Sequence, residues 1–135
     1  MRDVELLLRF LALTYDRPNY KKPMNDFVSR FMEKNRNPRE SVLREFGEVF
    51  ESASKRVVET LGAHPFHIKA GLNAAVMDSV MVAYAEHDNE QPKNIERKYQ
   101  ALLNNVSYQE YTSQSTTDTD SVKHRIKLAK KVLFD

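Results

Sequence analysis

The sequence predicts an all-α protein, an irregular bundle of about six helices that forms a single domain over residues 1–135. Apolar residues recur at helical spacing through most of the chain, and no segment shows a convincing strand alternation. A chain of 135 residues suits one domain and can bury about two thirds of its unfolded surface. The composition, with 41% hydrophobic and 30% charged residues, is that of a globular protein.

The first half of the chain contains three predicted helices, each with apolar residues at i, i+3, i+4 and i+7. They span Arg2–Thr14, Pro23–Asn35 and Pro38–Leu61. Asn37 is the predicted N-cap of the third helix, with Pro38 at its first position and Gly62 at its C-terminal cap. The first helix has an unusually wide apolar stripe, so we expect it to be covered on most sides.

The second half contains three further long helices, predicted at Ile68–Glu86, Pro92–Asn104 and Ser121–Phe134. The first of these presents small and branched residues, which let neighbouring helices approach closely, so we expect it at the centre of the bundle. Val106–Tyr111 is predicted as a short helix or turn. Thr112–Asp120 is wholly polar and is predicted as a loop, from which Thr119 or Asp120 caps the last helix.

Several classes of enzyme site lack their residues in this chain. There is no cysteine, and the three glycines are far apart, so thiolate chemistry and a glycine-rich phosphate loop are excluded. His64 and His67 are spaced like metal ligands, but no carboxylate pair completes the set. Glu86–Glu90 is typical of a helix end followed by a polar turn. We therefore expect no metal, no cofactor and no independent enzyme activity.

Charge is distributed unevenly although the net charge is only +2. Both ends of the chain are basic, and residues 41–90 are acidic. The favoured interpretation of the basic residues in the last helix is a solvated face, whose cations interact favourably with the dipole at the helix C-terminus. The alternative is a nucleic-acid-binding surface, in which these cations contact the phosphates. Tyr108 and Tyr111 could then stack on bases. The candidate nucleic-acid-binding residues are Lys123, Arg125, Lys127 and Lys130.

The polar segment Ser115–Asp120, which precedes the last helix, offers hydroxyl and backbone N–H groups that can bind phosphate at a helix N-terminus. However, Asp118 and Asp120 lie near the same helix end and compete for those groups. A loop that caps itself is therefore the favoured interpretation, and phosphate binding is the alternative.

The sequence shows neither a signal-peptide core nor an apolar stretch long enough for a membrane span. Charged residues interrupt the apolar N-terminal segment from its second position onward. We therefore expect a cytoplasmic protein without a membrane partner.

Four stretches follow one another along the chain: Arg2–Ala12, Tyr20–Lys21 with Met24–Phe27, Leu72–Ala83, and Ser113–Thr117 with Val122–Ile126. In this order they resemble the helical half of a bacterial defence family. Its members join a ParB/sulfiredoxin-like nuclease domain to a following helical region, as in GmrSD-type restriction systems. The resemblance covers about residues 1–134. The family's Asp-Gly-x-x-Arg-type catalytic motif and its His-Asn-His nuclease domain have no match in this chain.

The resemblance implies a non-catalytic accessory or interaction domain of a phage-defence protein. Such a domain would be an excised part, a gene fragment or a stand-alone relic on a mobile element. It would dock on a ParB-like nuclease domain or on its own copy through the first helix, and the candidate docking residues are Leu6, Arg9, Phe10 and Leu13. Arg9 and Arg125 match positions of the family. Their alternative role is structural, in ion pairs with Asp3, Glu5 or Asp78.

Overall fold

Seven α-helices form the framework of the computed structural model, which describes residues 2–69 and 71–135. They are α1 (Arg2–Tyr15), α2 (Met24–Lys34), α3 (Glu40–Leu61), α4 (Ala74–Glu86), α5 (Ile95–Leu103), α6 (Val106–Ser113) and α7 (Thr119–Phe134). A 3-10 turn at Arg17–Asn19 follows α1. The all-α prediction is confirmed. The segment Val106–Tyr111, which was predicted as a short helix or turn, belongs to helix α6.

Helix α4 lies at the centre of the bundle, as its small residues predict. Residues Ala75, Val76 and Ser79–Tyr84 are all buried. Helices α1, α3 and α7 pack around it. The guanidinium of Arg56 on α3 closes the C-terminal end of α4, because it donates to the carbonyl oxygens of Tyr84, His87 and Glu90 at 2.9–3.0 Å.

A small hairpin precedes α4 where the sequence predicted the first turn of the helix. Strands β1 (His67–Ile68) and β2 (Gly71–Leu72) pair in antiparallel register. Lys69 has a left-handed φ of 61°, which is incompatible with a continuing helix. The helix begins at Ala74 because the Asn73 side chain accepts hydrogen bonds from two amides of its first turn. The predicted start at Ile68 is therefore wrong.

The predicted starts of α2, α3, α5 and α7 also move, by one to three residues, whereas the predicted ends of α3, α4 and α7 are confirmed. Helix α3 begins at Glu40, and Arg39 occupies its N-cap position instead of Asn37. Helix α7 begins at Thr119, with Asp118 at the N-cap position. Gly62 is the C-terminal cap of α3, as predicted, and its φ of 94° is one that residues other than glycine rarely adopt.

The described residues form one hydrophobic core, to which every helix contributes at least one buried residue. None of the helices in residues 2–69 and 71–135 is long and apolar enough to cross a membrane.

Candidate functional site: an apolar groove between three helices

An apolar groove of about 760 Å³ lies between α1, α2 and the first half of α3. These helices and Pro38, in the loop between α2 and α3, supply its apolar lining. The helical residues are Leu7, Leu8, Leu11, Phe31, Met32, Leu43, Phe46 and Phe50. Glu33, Asn35 and Arg36 are its polar lining residues. We name this surface the α1–α3 groove.

Aromatic rings connect the three helices at the base of the groove. The ring of Phe46 lies 5.8 Å from that of Phe31 and 4.8 Å from that of Tyr15, centroid to centroid. Phe50 packs edge-on against Phe10 at 5.8 Å. Partial burial and the neighbouring Glu45 carboxylate raise the pKa of Tyr15 to about 12. Aromatic packing therefore joins α3 to α1 and α2 at the base of the groove.

The rim of the groove leaves large apolar side chains in water. Met32 is 49% exposed and Leu43 is 56% exposed. Leu43, Phe46, Gly47 and Phe50 follow the spacing i, i+3, i+4, i+7, so they form one stripe about 10 Å long on α3. An open apolar channel with a helical wall on each side can take the apolar face of another helix.

Gly47 lies in this stripe, and packing inside the chain does not require a glycine there. A Cβ atom built on Gly47 meets no described atom within 4 Å. Glycine in a helix interior costs about 0.5–1 kcal/mol relative to alanine. A glycine on a helix surface allows the backbone of another chain to approach closely, which would account for Gly47 at this position.

The predicted docking residues belong to α1, but the structure places them away from the groove. Phe10 is 1% exposed and Leu13 is 0% exposed, so both are core residues and are unavailable to a partner. Leu6 lines two smaller clefts, while Arg9 forms an ion pair with Asp78. The wide apolar stripe of α1 includes residues that face the core and residues that line the groove, and its periodicity did not separate the two.

Arg9, Asp78 and Arg125 form a largely buried charge cluster. Ion pairing with Asp78 is the structural role that the sequence left open as the alternative for both arginines. Arg125 is 0% exposed, and its Nε and Nη2 donate to Asp78 Oδ1 at 2.9 Å and Oδ2 at 2.7 Å. Arg9 donates to Oδ2 of the same carboxylate at 2.8 Å. Arg125 Nη1 donates to the carbonyl oxygens of Tyr111 and Thr116. The prediction that Arg125 binds nucleic acid is therefore wrong.

The other predicted basic residues lie on two faces of α7. Lys123 and Lys127 are exposed, and Lys131, one turn further, is exposed too. Lys130 instead pairs with Glu86 at 2.7 Å, and Arg17 reaches the same carboxylate at 2.6 Å. Although partial burial acts to raise the pKa of Glu86, the hydrogen bonds from these two cations outweigh it and hold that pKa below its usual value.

The tyrosines considered for base stacking are not both accessible. Tyr108 is 1% exposed and shares a 2.6 Å hydrogen bond with the Ser79 hydroxyl. Burial raises the pKa of Tyr108 strongly. Tyr111 is half-buried, and its ring packs 5.3 Å from that of His124. A stacking role for Tyr108 is therefore wrong.

The segment before α7 turns part of its backbone toward the bundle. The Tyr20 hydroxyl donates to the Thr117 carbonyl oxygen. Asp118 pairs loosely with Lys22 at 3.6 Å. The side chain of Asp118 caps no amide of α7.

The imidazole rings of His64 and His67 lie 5.1 Å apart at the start of the hairpin. In the described part of the chain, no three histidine or carboxylate side chains converge into a metal site.

Comparison of the chain with models of known protein families, with curated proteins and with solved structures finds no match in any of the three.

Proposed function

We propose that this chain is a non-catalytic binding module whose α1–α3 groove takes the apolar face of an amphipathic helix from a partner protein. One observation carries the proposal: a groove of about 760 Å³, walled by helices, has large apolar side chains left in water along its rim. Apolar surface of this kind is costly to leave uncovered and marks interaction sites.

The shape and chemistry of the groove favour a helix as the occupant. The α3 stripe runs for about two helical turns, which matches the i, i+3, i+4, i+7 anchors of a docked helix. Because Gly47 has no side chain, it leaves a gap in the stripe where the backbone of a docked helix can approach closely. Glu33 and Arg36 place both signs of charge beside the apolar lining, which suits the polar flank of an amphipathic helix.

The resemblance to the GmrSD-type family suggests the partner, a ParB/sulfiredoxin-like nuclease domain. Under this proposal the chain adds a docking surface to a defence nuclease, and catalysis resides in the partner. A ParB-like protein encoded beside this chain is the partner to test first. We expect it to bind the wild-type chain and to bind Leu43→Glu much more weakly.

Helical peptides test the groove without knowledge of the partner. A library of amphipathic helices is selected on the wild-type chain, and affinities are measured by fluorescence anisotropy. We expect the selected peptides to carry apolar residues at helical spacing and to bind Leu43→Glu and Gly47→Gln at least about tenfold more weakly.

Val106→Glu is the matched control, because Val106 is also an exposed apolar residue, at 69%, but lies on α6 outside the groove. Equal affinity for Leu43→Glu and Val106→Glu would contradict the proposal. A wild-type dimer that Leu43→Glu converts to a monomer would instead assign the groove to a second copy of this chain.

A second candidate function is nucleic-acid binding by α7. It is favoured by one observation, the stripe of exposed cations Lys123, Lys127 and Lys131 at four-residue spacing. Binding of labelled DNA and RNA should then fall steeply with salt. The Lys123→Ala/Lys127→Ala double variant should bind more weakly than the control Lys55→Ala/Lys93→Ala, which removes two exposed lysines elsewhere. Equal binding by the two double variants would eliminate this function.

A further inference from the structure

A second, polar cleft lies on another side of the molecule, between the hairpin, the start of α4 and the end of α6. Its volume is about 410 Å³. Its polar lining comprises Arg9, Asn73, Thr112, Ser113 and Thr116. Arg9 is the one charged residue among the described residues that line it, so no acidic side chain in that lining competes with an anion.

The charge cluster behind the cleft contains two cations and one anion. Asp78 is 3% exposed and Arg125 is 0% exposed, whereas the Arg9 side chain is 16% exposed. Both guanidiniums share the one carboxylate, which leaves a net positive charge that is mostly removed from water. A buried charge without a compensating partner is unfavourable, so the cluster favours a further negative group.

The spare hydrogen-bonding capacity belongs to Arg9. Arg125 uses all three of its nitrogens, on Asp78 and on two carbonyl oxygens. Arg9 directs Nε and Nη2 at the single oxygen Asp78 Oδ2. Its Nη1 has no partner among the described residues. A guanidinium has five N–H donors, so Arg9 keeps donors for a ligand.

Thr116 supplies a second free group. The hydroxyls of Thr112 and Ser113 donate to backbone carbonyls of α6. Asn73 already binds the amides of Ala75 and Val76. The Thr116 hydroxyl, by contrast, has no hydrogen bond within the described part of the chain.

We propose that this cleft binds one small oxyanion group, a phosphate or a carboxylate, through the Arg9 guanidinium and the Thr116 hydroxyl. Arginine recognises both groups because its planar fork matches their paired oxygens. This site is separate from the α1–α3 groove, and it stands whether or not the groove binds a helix.

Titrations of the ¹⁵N-labelled chain with sodium phosphate, acetate and chloride, at matched ionic strength, test the proposal. We expect saturable shifts of the Asn73, Ser113 and Thr116 amide signals with an oxyanion and none with chloride. Saturation by phosphate alone identifies a phosphoryl group as the ligand, and saturation by acetate alone identifies a carboxylate. Shifts that never saturate, or that chloride reproduces, would overturn the proposal.

Two variants locate the site. Arg9→Gln should weaken oxyanion binding by at least about tenfold, while Arg125 still neutralises Asp78. Thr116→Val keeps the backbone carbonyl that Arg125 contacts, so it tests the hydroxyl even if Arg9→Gln folds poorly. Lys55→Ala removes an exposed cation of α3 outside this cleft and should leave the affinity unchanged. Equal affinity of wild type, Arg9→Gln and Thr116→Val would refute the assignment.

Discussion

The carboxylate of Asp78 binds two arginines from opposite ends of the sequence, Arg9 on α1 and Arg125 on α7. Sequence reasoning proposed this pairing as one alternative, since Arg9, Asp78 and Arg125 are each compatible with it. It could not decide between burial and exposure for Arg125, because the partner carboxylate is 47 residues away along the chain. Helical periodicity records which residues share a face, but not which distant charge that face meets.

We predict that Asp78→Asn lowers the free energy of unfolding by about 3–5 kcal/mol, because it leaves buried guanidinium charge uncompensated. Urea denaturation monitored by circular dichroism measures this effect. Asp26→Asn, which neutralises an exposed carboxylate on α2, is the control and should change little. A loss below about 1 kcal/mol for Asp78→Asn would show that the cluster is not a determinant of stability.

Glu86 should make stability depend on pH in the acid range. Since the hydrogen bonds of Arg17 and Lys130 hold its folded-state pKa below the usual 4.5, Glu86 stabilises the fold above pH 4.5. This contribution is lost as the pH falls through the lowered pKa. Because the carboxylate is partly exposed, we expect at most about 1 kcal/mol. Thermal unfolding of Glu86→Gln should show a smaller acid-induced decrease than wild type, and an identical pH profile would contradict the assignment.

At the scale of elements, the long helices were predictable and the short or irregular features were not. Helices α2, α5 and α7 begin and end within a few residues of their predicted bounds, because an amphipathic stripe over several turns is a strong local signal. The hairpin has two residues in each strand, too few for an alternation to be visible. The α1–α3 groove was missed because the stripe of α3 gave no sign that its first half lacks a covering helix.

Alanine substitution should have opposite effects on stability at the two glycines of α3, Gly47 in the helix interior and Gly62 at the C-terminal cap. Neither site has an atom within 4 Å of a built Cβ, so backbone conformation decides the outcome. Gly47→Ala should stabilise the fold by about 0.5–1 kcal/mol, because the helix interior favours alanine. Gly62→Ala should destabilise it, because Gly62 has a φ of 94°. Equilibrium urea unfolding compares them, and a destabilising Gly47→Ala would show that the fold itself needs this glycine.

At the scale of the whole molecule, the exposed rim of the groove is separable from the core, although the core residues Leu11 and Phe31 form part of the groove lining. The core surrounds α4 and buries residues from all seven helices of the described chain. The groove lies between α1, α2 and the first half of α3. A substitution at the rim should therefore change binding without changing the fold.

Two leucine truncations test this separation. Leu133→Ala, at a residue that is 0% exposed, should cost about 2–5 kcal/mol of unfolding free energy. Leu43→Ala, at a residue that is 56% exposed, should stay within about 0.5 kcal/mol of wild type. Calorimetric melting of both variants measures the difference, and comparable losses would mean that the groove wall belongs to the core.

Amide chemical-shift mapping with a selected helical peptide shows where the peptide binds on this chain. We expect the largest shifts at Leu8, Met32, Leu43 and Gly47, on the three helices that line the groove. The α7 signals, such as those of Lys123 and Lys127, should remain nearly unchanged. Shifts concentrated on α7 or on the hairpin, with the α3 stripe unaffected, would contradict binding in the groove.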